Sequence, residues 1–346
     1  MELSPNINEI KNLIPLIVLN WNGENDTISC LKSIRNSDNS GFLTILVDNG
    51  SKKESLVVLK KESEFIYSNV LYINREHLTE SSTSIIDFIS KNSFLDSLIF
   101  IENNENLGFA KGNNIGIEIA KLIDCKWVML LNNDTEIEHN SLSNLNDFIQ
   151  EHPEIKAVTP EIRYFYQKEK IWNCGGKLTF FGSRKYLFAE QTIISRPEIG
   201  FSSISFITGC ALLFQYKETG ILTEDFFFGE EDYEFSMRMK KNKKKMACVH
   251  SSVIYHKVGS SIKKRADTTS SIYLYYINRL INTRNYYSQS RWQITKILAY
   301  LYLIILLQKY NQKLSDSLSL IKKINDYVSN NRTVNFVEFQ KAMNKC

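Results

Sequence analysis

The sequence predicts an α/β fold: a mainly parallel sheet flanked by helices, followed by a helical extension. Three observations predict it. Short apolar runs with β-branched members alternate with amphipathic helical patterns through residue 134, the signature of strands joined by crossover helices. Three of those runs end in Asn- and Asp-rich turns, at Asn20/Asn22, Asp48/Asn49 and Asn132/Asn133/Asp134. From Asp267 onward the strand signal gives way to helical patterns.

The elements follow in order. Residues 16–19 are a buried strand, too short for a helix and ending at Asn20-Trp21-Asn22-Gly23. Residues 26–34 place Ile28, Leu31 and Ile34 on one helical face. A second strand, 43–47, ends at Asp48-Asn49-Gly50-Ser51, and 55–61 reads as helix. Residues 60–97 are long for a connection and hold a helix at 82–89, so they are an elaboration of the fold. A strand at 98–101, a helix at 113–123 and a strand at 127–131 follow. Residues 151–200 are less regular, with a hairpin signal around 172–177. In parallel sheets ligands sit beyond the carboxyl ends of the strands. Asn, Asp and Gly also simply make turns, but turn chemistry alone does not gather acidic members on one edge.

Composition narrows the class. Of 346 residues, 43% are hydrophobic and 23% charged, ordinary for a folded globular protein. The net charge of +4 does not indicate a nucleic-acid binder. None of the six cysteines forms a Cys-x-x-Cys pair, so neither a zinc-ribbon nor a thioredoxin-like arrangement is indicated. Their scatter fits reduced thiols in the cytoplasm, and residues 1–11 lack a secretory pattern. The run 294–307 is nearly all apolar, lies between Arg291-Trp292 and Lys309-Tyr310, and is too short to span a bilayer. It reads as a core helix or an interfacial one, and its aromatic and basic flanks favour the membrane surface.

Four segments carry candidate chemistry. Asp134 is a carboxylate at a strand end, a natural ligand for Mg²⁺ or Mn²⁺. Residues 226–234 set three phenylalanines before Glu230-Glu231-Asp232 and Glu234, and lysines follow at 240, 241, 243, 244 and 245. Acids first and bases last complement a helix dipole; the alternative is that one carboxylate is a general base. His256 ends an apolar run and matters if it meets Asp134 in space. Residues 106–114 open a helix through Gly108, where small residues let a ligand approach the backbone.

In this order the segments resemble glycosyltransferase family 2, and within it the rhamnosyltransferase-type branch. The resemblance covers roughly residues 13–262. It rests on Leu19-Asn20-Trp21-Asn22-Gly23, Val47-Asp48-Asn49-Gly50-Ser51, Asn106-Leu107-Gly108-Phe109-Ala110 and Leu130-Leu131-Asn132-Asn133-Asp134. Thr208-Gly209-Cys210-Ala211, Phe226-Phe227 with Glu231-Asp232, and Val253-Ile254-Tyr255-His256 complete it. It implies a GT-A fold, with a Rossmann-like nucleotide-binding half and an acceptor half on one mixed, mainly parallel sheet. Domains at 12–265 (catalytic) and 266–346 (helical, membrane-associating) are expected.

The resemblance also implies roles. Asp48 would accept a hydrogen bond from the donor's base. Asn20, Asn22, Gly108 and Asn133 would line the nucleotide pocket. Asp134, with His256, would hold a divalent metal. Asp232, with Glu231 beside it, would be the base, and Gly209 and Cys210 would floor the acceptor pocket. Two departures stand out: the metal motif begins with Asn132, leaving one carboxylate, and Glu230 is an extra acid. The expected partners are a nucleotide-sugar donor and a glycan or lipid-linked glycan acceptor, with peripheral contact at the inner membrane face and no nucleic acid. The competing reading is a catalytically inactive nucleotide-sugar or glycan-binding protein.

Overall fold

A computed structural model describes residues 7–39, 41–195, 200–258 and 268–343. The first half runs α1 (Ile7–Asn12), β1 (Ile14–Asn20), α2 (Glu24–Arg35), β2 (Phe42–Asn49), α3 (Lys53–Ile66), β3 (Asn69–Asn74), α4 (Ser82–Lys91), β4 (Ser97–Asn103), α5 (Phe109–Leu122) and β5 (Val128–Asn132). Then come β6 (Thr135–Ile137), α6 (Ser141–Glu151), β7 (Ile155–Tyr164), β8 (Gln167–Asn173), β9 (Gly176–Leu178), β10 (Arg184–Tyr186), β11 (Phe201–Ile204) and β12 (Ala211–Phe214). The chain continues through α7 (Tyr216–Thr219), α8 (Glu231–Lys241), β13 (Lys245–His256), α9 (Thr268–Tyr286), α10 (Gln289–Lys309), α11 (Leu314–Asn330) and α12 (Phe336–Met343).

The main sheet has the order β11-β13-β7-β12-β5-β1-β2-β4-β3, with β6 on β13 and β8 on β7. The half from β5 to β3 is all parallel. β12 enters antiparallel between β5 and β7, making the sheet mixed. Alternation along β1 shows how it is buried on both faces. Ile17 packs into one apolar layer with Ile115, Ile117 and Ile119 of α5. Leu16 and Val18 pack into the other, with Leu31 and Ile34 of α2 and Leu142 and Leu145 of α6.

The sequence placed the parallel strands within a few residues, but missed β3. Residues 60–97 form the end of α3, an edge strand parallel to β4, and α4. β3 is mostly half-buried, as an edge strand is, so its apolar signal is weak. The 294–307 run also proves to be only part of a helix. Helix α10 has 21 residues and is by length and composition long enough to cross a membrane, and 22% of its apolar window is buried.

The C-terminal helices are not a loose tail. Asn278 on α9 donates to the carbonyls of Phe228 and Gly229, and Asn282 to that of Glu230, each at 3.0 Å. Val334 exchanges main-chain bonds with Asp225 and Phe227 at 2.7 Å. The expected boundary at 265/266, with Gly259-Ser260 and Ala266, lies outside the described residues.

Candidate active site

The polar edge of the parallel half is one connected network. Asn20 is fully buried at the end of β1 and acts as its hub. Its Nδ2 donates to Asp48 Oδ1 at 2.7 Å, and its Oδ1 accepts from the Gly23 N–H and the Thr27 hydroxyl. Ser51 donates its N–H and its hydroxyl to Asp48. Asn133 donates to Thr27 Oγ1 at 2.8 Å. Asn22 accepts the Lys52 N–H through its side chain. Asn20, Asn22, Asp48 and Asn133 therefore knot together the turns after β1, β2 and β5, at the carboxyl ends of the strands, where open α/β sheets place ligands.

Gly108 has another reason for being glycine. Its φ is +84°, and a Cβ there would stand 2.1 Å from the Phe227 carbonyl oxygen. That carbonyl also accepts the Phe109 N–H. The glycine thus presses the start of α5 onto the segment leading into α8, and this packing accounts for it without a ligand.

Asp134 and His256, far apart in sequence, are neighbours. β6 pairs with the end of β13, bringing His256 Nε2 to 3.1 Å from Asp134 Oδ1. Trp172 packs edge-on against the imidazole. Burial disfavours the charged ring, but Cys210 and then Asp134 outweigh it and hold its pKa up at about 10. The Cys210 thiol is itself pushed up by burial. A carboxylate oxygen and an imidazole nitrogen so placed fit a divalent cation, whose adjacent octahedral ligands stand about 3 Å apart.

The three acids at 230–232 separate cleanly. Glu230 is buried in a left-handed conformation, φ +75°. Arg279 grips it with two guanidinium nitrogens and Arg184 approaches at 3.2 Å. Burial favours its neutral form, but Arg279 and then Arg184 prevail and its pKa is lowered. Glu231 is buried and accepts the Gly229 N–H at 2.8 Å. Burial, reinforced by Asp232, pushes it up to about 8, so near neutral pH it is mainly protonated. Asp232 keeps 21% of its side chain exposed. Its Oδ2 accepts the Gly209 N–H at 3.4 Å, and Arg184 lies 3.9 Å from Oδ1. Burial and then Glu230 raise its pKa, with Arg184 opposing.

A continuous line thus runs from Asp134 through His256, Cys210 and Gly209 to Asp232. Arg184 and Arg279 went unnoticed in the sequence. Arg184 stands on a three-residue strand with no motif around it. Arg279 lies in a Tyr-, Asn- and Arg-rich helix whose composition alone does not point to a buried acid.

A family model described as glycosyl transferase family group 2 matches residues 127–320, from β5 into α11. Sequence comparison with curated proteins finds no match. Among solved structures, S. aureus TarS 1-349 is similar at 13% identity and a TM-score of 0.47, over 82% of this chain and 68% of that one. Its complex with UDP-GlcNAc aligns at 13% identity and a TM-score of 0.48, over 84% and 71%. The mannosyltransferase PcManGT from Pyrobaculum calidifontis, in complex with GDP-Man and Mn²⁺, aligns at 12% identity and a TM-score of 0.49, over 93% and 76%. With more than half of its residues under the family model and a mixed, mainly parallel sheet between two helical layers, the chain belongs to glycosyltransferase family 2 and has the GT-A fold.

Proposed function

We propose that this chain is an inverting, cation-dependent transferase that moves a sugar from a nucleotide-sugar donor to a hydroxyl of a glycan or lipid-linked glycan. dTDP-rhamnose and UDP-hexoses are the donor classes to try first, with bacterial surface polysaccharide as the product. The carrying observation is that Asp232, the one acid of its cluster that is part-exposed and unmatched by a close arginine pair, lies on the same stretch of site as Asp134 and His256.

Asp232 takes the proton of the acceptor hydroxyl as that oxygen bonds to the anomeric carbon. The bond from that carbon to the diphosphate oxygen breaks on the opposite face, so the configuration inverts. A raised pKa suits a base, because it narrows the gap to the proton it receives. Arg184 opposes that rise. A divalent cation held by Asp134 and His256 would neutralise charge on the departing diphosphate. The network of Asn20, Asn22, Asp48 and Asn133 orients the nucleotide, and Glu231, mainly protonated, adds little negative charge beside Asp232.

The test is donor binding and turnover across nucleotide sugars with Mn²⁺ or Mg²⁺. Asp232→Asn should lower turnover by about 10²- to 10⁴-fold, the usual worth of a general base, with donor affinity kept. Asp134→Ala should weaken cation-dependent donor binding. Wild-type turnover in Asp232→Asn would remove the base assignment. Failure of every donor to bind would favour an inactive binding protein.

A further inference from the structure

Away from this site, where the first half of β13 passes the end of β8, Cys174, Cys248 and His250 converge. All three are buried, and their ligand-capable atoms lie within 4.8 Å of one another. Glu161 borders the Cys174 and His250 side of this trio: its Oε2 is 3.9 Å from Cys174 Sγ and 3.3 Å from His250 Nδ1, and the residue is fully buried. From these positions we propose a structural zinc site, with Cys174, Cys248, His250 and Glu161 as its four ligands.

The backbone explains the convergence. Cys248 and His250, two residues apart on β13, share a face. Val249 pairs with Pro160 and Val253 with Glu161, so residues 250–252 are an insertion that has no partner on β7. Such a bulge re-aims side chains, and here His250 is turned toward Glu161. Cys174 follows the last residue of β8, which pairs with β7.

The chemistry favours zinc. Two thiolates, an imidazole and a carboxylate are a tetrahedral donor set, whose neighbouring ligand atoms stand about 3.3 to 3.8 Å apart. The second shell is also in place. His250 Nε2 lies 2.8 Å from Ser202 Oγ, which can take its N–H and leave Nδ1 as the ligand atom. Arg163 donates to Glu161 Oε1 at 2.7 Å, leaving Oε2 to the cluster. Charge balances as well: two thiolates and a carboxylate against Zn²⁺ leave one negative charge, which Arg163 matches. An ion here would tie β8 and the bulge of β13 to β7, six residues before His256.

Because the ligands are buried, the ion must enter as the chain folds. The full chain would be produced in medium supplemented with Zn²⁺ or with Co²⁺ and purified under reductant with a chelating wash. The expected result is one zinc per chain, and in the cobalt form a thiolate-to-cobalt charge-transfer band. His256→Ala should keep both, Cys174→Ser should cut the band to half or less, and Ser202→Ala should weaken zinc affinity by about tenfold. Absence of the band in the wild-type protein would overturn the proposal, whatever the variants do. So would a Cys174–Cys248 disulfide in the non-reduced protein.

Discussion

Glu231 illustrates how one buried carboxyl ties stability to pH. Its pKa is raised in the folded state, chiefly by burial, to about 8. The folded chain therefore holds that proton more tightly than the unfolded one. The stabilisation is full below the ordinary carboxylate range and is lost as pH rises to about 8. Urea denaturation from about pH 5 to pH 8 should show a falling midpoint, and Glu231→Gln should flatten that fall. An unchanged slope in the variant would show that Glu231 is ionised when folded. Gly108 sets a second residue-scale expectation. A methyl group there meets the Phe227 carbonyl and forces an unfavourable φ, so Gly108→Ala should cost about 2 kcal/mol or more in urea unfolding.

Helix α10 poses its question at the scale of an element. Trp292, Leu303 and Leu307 pack inward with α9 and α11. Ile294, Ile297, Leu298, Leu301 and Ile305 are about half exposed, at the spacing of one helical face. A helix held by its neighbours on one side and apolar on the other suits the plane of a membrane surface better than a span through it. We propose peripheral contact there, at the cytoplasmic face. Ile297→Asp with Leu301→Asp should cut binding to anionic lipid vesicles by about tenfold or more and leave thermal stability nearly unchanged. Equal vesicle binding by the wild type and the double variant would remove the membrane from the reading.

For the whole molecule, the joint between the sheet and the C-terminal helices matters most. Glu230 accepts Arg279 from α9 and Arg184 from β10, and the Arg279 guanidinium also donates to the Gly182 carbonyl at 2.7 Å. Removing Arg279 leaves a buried carboxylate short of its main partner, so Arg279→Ala should destabilise the chain by about 3–5 kcal/mol. Chemical denaturation would measure this, and adding Glu230→Gln should recover part of the loss. A chain ended before α9 should fare worse, because it also loses Asn278, Asn282 and Val334.

Much of this was written in local pattern. Apolar β-branched runs and helical spacing gave the parallel strands, since a strand buried on both faces must be apolar along its length. The strand-end turns at Asn20, Asp48 and Asp134 marked the polar edge of the parallel half, and the ordered motifs marked the family. Partners distant in the chain were not legible, because no local rule links them. Only the pairing of β6 with β13 sets His256 beside Asp134. Only the packing of α9 and β10 brings Arg279 and Arg184 to Glu230 and makes it a structural acid. Cys174, Cys248 and His250 carry no motif spacing, and it is the bulge in β13 that gathers them around Glu161. The sequence by itself determined which segments are buried and where polar groups end the strands, because both follow from local periodicity. The tertiary structure alone decided which acids are neutralised, because that depends on charges brought from elsewhere in the chain.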